Sequence, residues 1–233
     1  MLDGFAWIFD PGHWQGADGI PTRIAEHLAI SIPSVVAAAA LALPIGRGAA
    51  VAVNLANIGR AVPSYAVMVI VLPISIRWNA ELGLDVVPTV VAMVLLAIPP
   101  ILVNAYAGIR AVDPEVVEAA RAMGMREREI LARVELPLAL PVIVGGFRTA
   151  TGQVIATATL GAVIAYGGLG RYLIDGIARN EDGRLFAGVI LVAGLALAHE
   201  GGLAILQRLA RGPPGGRPLG RWPSRPVAGL KAR

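Results

Sequence analysis

Five long stretches of the chain carry almost no charge, and shorter charged stretches separate them. They lie at 28–46, 61–76, 86–109, 138–166 and 185–206. A bilayer core about 30 Å thick needs about 20 consecutive apolar residues in a helix. Barrel strands would be shorter and would alternate, and lipid tolerates only helices and closed barrels as spanning structures. The pattern therefore predicts an all-α integral membrane protein with about five transmembrane helices.

The segments outside these spans differ in character. Residues 48–59 are also uncharged, and we expect a short helix that dips into the membrane interface there. The lead-in at 1–23 has acids, no basic start and no long apolar core, so it is no signal peptide. Its tryptophans, Trp7 and Trp14, suit a membrane interface, and we expect a partly ordered extracytoplasmic surface segment. We assign 24–207 to one transmembrane domain.

The tail at 208–233 is rich in Pro, Gly and Arg, a composition that cannot build a core. We expect it to be disordered. It serves either as a basic topology anchor or as a segment that adheres to anionic lipid headgroups.

Composition agrees with a membrane protein. The 233 residues are 56% hydrophobic and 15% charged, against about 25% charged in soluble domains. Cysteine is absent, which excludes disulfides and thiolate metal sites. A net charge of +4 could indicate nucleic-acid binding. The basic residues cluster in loops and in the tail, however, so we expect no nucleic-acid partner.

The positive-inside rule orients the chain. With the N-terminus outside, the cytoplasmic segments hold 14 basic residues and the opposite side holds 5, leaving out Arg148. The cytoplasmic set is Arg47, Arg60, Arg110, Arg121, Arg126, Arg128, Arg133, Arg208, Arg211, Arg217, Arg221, Arg225, Lys231 and Arg233; the opposite set is Arg23, Arg77, Arg171, Arg179 and Arg184. We therefore expect a cell-membrane protein with its N-terminus outside and its C-terminus in the cytoplasm.

The most highly charged stretch between two spans lies at about 111–136, on the predicted cytoplasmic side. Asp113 followed by Pro114 is typical of a helix start, and Gly124 favours a positive φ that ends the helix. A second short helix is predicted at about 126–134, ending before Leu136 and Pro137. The pattern indicates two short helices joined by a sharp turn.

A surface of this kind suits a protein partner, because a short helix inserted in a groove is a common recognition mode. Ala119 and Ala120 would let a partner approach closely. Met123, Met125 and Ile130 would supply apolar anchors.

These residues resemble a known family. Glu118-Ala119-Ala120, then Gly124, then Val134-x-Leu136-Pro137 is similar to the EAA signature of permease subunits of binding-protein-dependent ABC importers, with Val134 in place of isoleucine. The similarity extends over about 26–207. Segments at 57–64, 99–109 and 157–170 resemble the branch that transports glycine betaine, carnitine and choline.

The resemblance implies a type I importer permease whose loop is a coupling helix. Glu118, Ala119, Ala120, Met123 and Gly124, with Leu136 and Pro137, would form the site for a cytoplasmic ATPase. A second permease subunit, identical or not, and an extracytoplasmic solute-binding protein would complete the assembly. The chain has no phosphate-binding G-x-x-x-x-G-K-[ST] loop, so we expect no enzyme activity, no cofactor and no metal in this subunit.

The implied solute is an osmoprotectant such as glycine betaine, carnitine or choline. Another small solute, such as an amino acid, is an alternative. Two alternatives belong to other functional classes: a membrane scaffold that does not transport, and a self-sufficient secondary transporter. A secondary carrier is expected to have intramembrane carboxylates, and only Glu200 comes near that description.

Irregular helices commonly line solute paths, and five residues are candidates. They are Pro99, Pro100, Asn104, Gln153 and Thr157. The adjacent prolines are expected to bend or break the third span, as a static kink or as part of the path. Gln153 is costly in lipid and should face the interior, although hydroxylated and small residues near it also suit helix packing.

Two charges lie within or near the predicted spans. Arg148 interrupts the fourth span, where snorkelling to the interface or pairing is expected. Glu200, beside His199, lies near the cytoplasmic end of the fifth span. We expect an ion pair or an interface residue there rather than a proton relay. No aromatic cage for a quaternary ammonium group and no catalytic motif is recognised in the sequence.

Overall fold

The computed structural model describes residues 2–45 and 62–210, and every regular element in those two stretches is helical. The α-helices are α1 (Leu2–Phe9), α2 (Ile20–Ile45), α3 (Ser64–Trp78), α4 (Ala80–Gly83), α5 (Val86–Arg110), α6 (Pro114–Ala122), α7 (Glu127–Ile130), α8 (Leu136–Thr157), α9 (Gly170–Arg179) and α10 (Asp182–Ala210). A π turn, Leu131–Glu135, precedes α8, and 3-10 segments lie at Pro11–Trp14 and Ala158–Ile164.

Four helical stretches in the described part are long and apolar enough to cross a bilayer. They are Ile20–Pro44, Val86–Arg110, Glu127–Ile164 and Asp182–Ile205. The remaining predicted span corresponds to α3, a shorter apolar helix of 15 residues. The predicted interfacial helix at 48–59 and the start of the predicted second span lie outside the described residues. So does the predicted tail from residue 211 onward.

The predicted boundaries of the third span are confirmed. Asp85 caps α5, because its carboxylate accepts a hydrogen bond from the Val86 N–H at 2.7 Å. The first span begins earlier than predicted, at Ile20 rather than at residue 28. Arg23, Glu26 and His27 lie inside α2. Arg23 pairs with Glu26, and His27 bonds to the Ile155 carbonyl of α8, so their polarity does not end the helix.

The core lies around α5, which packs against α2, α3 and α8. Small and medium side chains such as Ala97 and Ile101 are fully buried there and allow close helix packing. The helix α10 is different, because Val189, Leu197 and Ile205 are exposed along it. An exposed apolar helix of this length is expected where lipid surrounds the protein.

Residues 2–9 of the lead-in form the helix α1, which is more regular than the partly ordered surface segment that we expected, although Leu2 and Phe9 are exposed on it. This helix packs against the start of α10, where an added Cβ at Gly4 would lie 2.8 Å from the Cβ of Phe186. Ile8 is buried in the same cluster as Tyr172 of α9. The helix is held by tertiary packing, which its short sequence does not reveal.

Candidate functional site

The loop between α5 and α8 begins with a well-capped helix. The Asp113 carboxylate accepts a hydrogen bond from the Glu115 N–H at 2.9 Å, and Pro114 occupies the first turn of α6. Glu115 also lies in this turn, where the partial positive charge of the helix N-terminus favours an acid. The predicted start of the loop helix is therefore confirmed.

Gly124 ends α6 in the conformation that the sequence predicts. Its φ is +84°, in the left-handed region that disfavours residues with a Cβ. Its N–H donates to the Arg121 carbonyl at 3.0 Å, and the Met125 N–H donates to the Ala120 carbonyl at 3.3 Å. This pair of bonds is the Schellman motif, which satisfies the last carbonyls of a helix.

The coupling candidates divide into an exposed and a buried set. Glu118, Ala119 and Gly124 are exposed, and Met123 is 76% exposed, so all four are accessible to a partner. Ala120 and Ile130, in contrast, are buried. Our expectation that these two residues form part of the contact surface is wrong, because they pack inside the loop and support its shape.

An ion pair joins the two short helices of the loop. Arg121 contacts the Glu127 carboxylate at 2.9 Å. Both side chains are more than half exposed, so solvent screens the pair and its contribution to stability is small. Its effect is to hold α6 and α7 in one orientation.

The second loop helix does not end before Leu136 and Pro137, which corrects our prediction. The chain passes from α7 through the π turn into α8 without a break. The Leu136 N–H donates to the Leu131 carbonyl, five residues back. Pro137 has no N–H to donate, and the widened turn just before it accommodates that loss. Leu136 and Pro137 are exposed at the base of this continuous helix.

Two grooves flank the loop. A polar one of about 290 Å³ lies between α6 and the π turn, and Glu118, Arg121 and Glu135 are among the residues that line it. An apolar one of about 630 Å³ lies deeper, between Leu43, Ile109 and Leu140. The loop thus presents an exposed helix beside a charged groove, an arrangement suited to docking a protein surface.

The proline pair does not interrupt α5. Pro99 and Pro100 are buried within one continuous helix, so the expected break is absent. The Asn104 amide donates to the Pro100 carbonyl at 2.8 Å. An added Cβ at Gly146 of α8 would lie 2.7 Å from the Cβ of Asn104. Pro100 and Asn104 therefore lie at the close contact between α5 and α8.

Gln153 faces away from the core of the single chain, and our expectation that it faces the interior rather than lipid stays a prediction. It is exposed on the surface of α8, while Thr157, four residues later, is half-buried. Thr149 is exposed one turn before it and donates its hydroxyl to the Gly145 carbonyl at 3.1 Å. Gly152 lies beside them with open space at its Cβ position among the described residues. This polar face of α8 comprises Thr149, Gly152, Gln153 and Thr157.

Arg148 pairs with Glu200, which links α8 to α10. The pairing of Arg148 is one of the two outcomes that we expected, but the sequence analysis did not name Glu200 as its partner. Arg148 follows the start of α8 by about as many residues as Glu200 precedes the end of α10. Because the two helices are predicted to run in opposite directions, the two residues lie at similar depths. That similarity was the signal that could have joined them. Among the described residues, no group of three or more acidic, His or Cys side chains is placed to hold a metal ion.

Comparison with known proteins decides the family. The profile of the family described as binding-protein-dependent transport system inner membrane component matches residues 34–212. The chain belongs to this family. It is therefore a multi-pass membrane permease subunit of an ABC importer, as the resemblance of its loop predicted.

Two permease proteins of Bacillus subtilis align over most of the chain. The choline transport system permease protein OpuBB of Bacillus subtilis (strain 168) is 35% identical over 190 residues, covering 78% of this chain and 84% of that protein. The glycine betaine/carnitine/choline transport system permease protein OpuCB of the same organism is 34% identical, covering 80% and 86%.

Solved structures show the same fold. A chain of the inward-facing MetNI methionine ABC transporter gives a TM-score of 0.69 at 21% identity, covering 79% of this chain and 93% of that chain. An amino acid ABC transporter gives a TM-score of 0.64 at 19% identity, covering 82% and 91%. At these identities the likeness concerns the fold alone. The fold is that of a type I ABC importer permease.

Proposed function

We propose that this permease moves an osmoprotectant, such as glycine betaine, carnitine or choline, into the cell. The relatives that are 34–35% identical over most of the chain carry the names of transporters for these solutes, which supports the proposal. ATP hydrolysis takes place on separate cytoplasmic subunits. The observation that carries the coupling role is the exposed surface of α6, ended by the left-handed Gly124.

The ATPase docks against Glu118, Ala119 and Met123. These side chains project from a short, capped helix that the Schellman turn holds at a fixed angle. Since α7, the π turn and α8 form one helical stretch, Glu127–Ile164, a push on the loop moves α8 along its length. That continuity provides a mechanical route from the ATPase to the solute path.

The solute path lies against the polar face of α8. Gln153 and Thr149 are exposed in the single chain, and exposed polar side chains within a span are costly in lipid. A second permease subunit, a copy or a related chain, covers this face and shares the path. An extracytoplasmic binding protein delivers the solute, so the permease itself requires no tight aromatic cage.

The N-terminus lies outside and the loop lies in the cytoplasm. The distribution of basic residues, 14 against 5, supports this orientation. In this orientation Glu200 lies in the cytoplasmic half of α10, and Arg148 lies near the middle of α8. A secondary carrier is disfavoured, because the carboxylate that would carry the proton is engaged in that pair.

Uptake into proteoliposomes tests the proposal. The permease is purified from its native membrane together with its bound ATPase and reconstituted with the co-purifying binding protein. Labelled glycine betaine, choline, carnitine and methionine are supplied separately, with and without internal ATP. We expect ATP-dependent uptake of at least one of the first three solutes.

Gly124→Asp is the matched variant in the same assay. It should insert in the membrane normally and lose ATP-dependent uptake, because it places a negative charge on the exposed surface against which the ATPase docks. Uptake of methionine alone would contradict the proposed solute class. Uptake that needs no ATP, or normal uptake by Gly124→Asp, would contradict the coupling role.

A further inference from the structure

Two adjacent residues of α2 contact the chain on either side of the 3-10 segment Ala158–Ile164. His27 contacts the end of α8 before the segment, and Glu26 contacts the loop after it. The His27 Nε2 lies 2.8 Å from the Ile155 carbonyl oxygen, before the segment. The Tyr166 hydroxyl donates to the Glu26 carbonyl at 2.8 Å, after the segment. These partners are 128 and 140 residues apart in sequence, so the contacts join distant parts of the fold.

The contact of His27 has a defined chemistry. A carbonyl oxygen only accepts hydrogen bonds, so the Nε2 of His27 carries the proton and donates it. His27 is 1% exposed, and water cannot replace this bond if it is lost. The acceptor, Ile155, lies between Gln153 and Thr157, two residues of the polar face of α8.

Glu26 holds the other side of the segment through its side chain. Its carboxylate accepts the Gly168 N–H at 2.7 Å and an Arg23 N–H at 2.8 Å. Burial raises the pKa of Tyr166 to about 12, so its hydroxyl stays protonated and remains a donor. The bond from Tyr166 to the Glu26 carbonyl therefore persists across the physiological pH range.

Two glycines allow the loop to come this close to α2. An added Cβ at Gly167 would lie 2.3 Å from the carboxylate of Glu26. Gly168 has a φ of +76°, and an added Cβ there would lie 3.2 Å from the Nδ1 of His27. Glycine at both positions is thus required by the contacts of Glu26 and His27.

We propose that Glu26 and His27 form a clamp that positions Gln153 and Thr157 along the solute path. The clamp fixes the junction at which α8 changes into the 3-10 segment. If the junction shifts, the polar face of α8 turns away from the path and ATP hydrolysis is no longer matched by solute movement. This inference rests on the proposed function, since it takes α8 as the path helix.

Substitutions at His27 separate a positioning role from a merely structural one. His27→Gln places an amide N–H near the position of Nε2 and keeps the bond to Ile155. His27→Asn carries the same amide on a shorter side chain that does not reach Ile155, and His27→Leu has no donor. Ser31→Ala is the matched control, because the Ser31 hydroxyl bonds within α2, to the His27 carbonyl.

The readout is solute taken up per ATP hydrolysed by the reconstituted full complex, with whichever of glycine betaine, choline or carnitine the wild type transports. We expect His27→Gln and Ser31→Ala to stay close to wild type. His27→Asn and His27→Leu should fall by about tenfold or more, as small displacements of positioned groups commonly have effects of this order. Equal uptake per ATP in all four variants would overturn the proposal.

Tyr166→Phe tests the other side of the clamp and also covers the case in which His27→Asn and His27→Leu fail to assemble. It removes only the hydroxyl that donates to Glu26, so the chain should still fold. We expect lowered uptake per ATP at an unchanged amount of complex. An unchanged ratio in Tyr166→Phe would contradict the clamp. Absence of ATP-dependent uptake in the wild type would instead contradict the proposed function.

Discussion

At the scale of single residues, the coupling loop depends on one backbone angle. The φ of +84° at Gly124 directs the chain from α6 toward α7. No heavy atom of the described residues, beyond its own chain neighbours, lies within 4 Å of a Cβ added there. A substitution at Gly124 therefore acts through the backbone conformation and not through a steric clash with the rest of the chain.

Substitutions at Gly124 should follow the cost of the left-handed conformation. Gly124→Asn should retain the most ATP-dependent uptake, Gly124→Ala less and Gly124→Val the least. Asparagine tolerates this region, whereas a residue with an ordinary side chain loses roughly 1–2 kcal/mol, about a tenfold drop in population. Uptake is measured at matched membrane levels. Equal activity of the Asn and Val variants would show that the angle is not required.

Local residue roles could be predicted from the sequence, whereas long-range ones could not. Asp113 and Gly124 act on backbone groups within a few residues, so the sequence pattern alone identifies them. The bond from His27 to Ile155 joins residues 128 apart, and no local pattern encodes it. Gln153 was placed inward because polarity indicates avoidance of lipid. The single chain leaves it exposed, and a second subunit is the proposed cover.

At the scale of elements, α8 is the part that connects the loop to the membrane. The π turn lets α7 and α8 form one helical stretch despite Pro137. The pair between Arg148 and Glu200 then joins this stretch to α10, which otherwise exposes much of its surface. We therefore expect α8 and α10 to move together.

Charge exchange tests this link. Arg148→Glu and Glu200→Arg should each lower the thermal stability of the detergent-purified protein, because each leaves two like charges facing across the helix contact. The double variant Arg148→Glu/Glu200→Arg restores opposite charges and should recover much of the loss. The measurement is the melting temperature of the three variants against wild type.

The control for charge exchange is the Arg121–Glu127 pair, which is exposed in the loop. Reversing either charge there should change the melting temperature little, since solvent screens the pair. If the double exchange at positions 148 and 200 is no more stable than the single variants, the two residues do not act as a pair.

Long apolar elements and the capped helix α6 were predicted well, whereas the short helices α1 and α9 were not. The apolar run and its flanking charges define α5 within one residue of the structure. The helices α1 and α9 are short, and their stability comes from packing against α10. Such packing follows from the tertiary arrangement, so the sequence could not predict either helix. The joining of α7 to α8 was missed because Pro137 normally indicates a helix end.

At the scale of the whole molecule, the two ends of the bundle carry different tasks. One end carries α6 and its charged groove, where we propose that an ATPase docks. The other holds α8 against α2 through Glu26 and His27. The polar face of α8, where we propose the solute path, lies between them. The exposed surfaces of α8 and α10 have different polarity, consistent with a second subunit on one and lipid on the other.

The most direct test of the central claim is whether a cytoplasmic ATPase binds this permease through α6. The tagged permease is extracted from its native membrane in mild detergent, and bound proteins are identified by mass spectrometry. The variant Glu118→Arg reverses a charge on the exposed surface of α6. The control Glu181→Arg makes the same change at the opposite end of the bundle. We predict that the ATPase co-purifies with wild type and with Glu181→Arg and is lost with Glu118→Arg. Purification without any ATPase, or equal retention by both variants, would contradict the account.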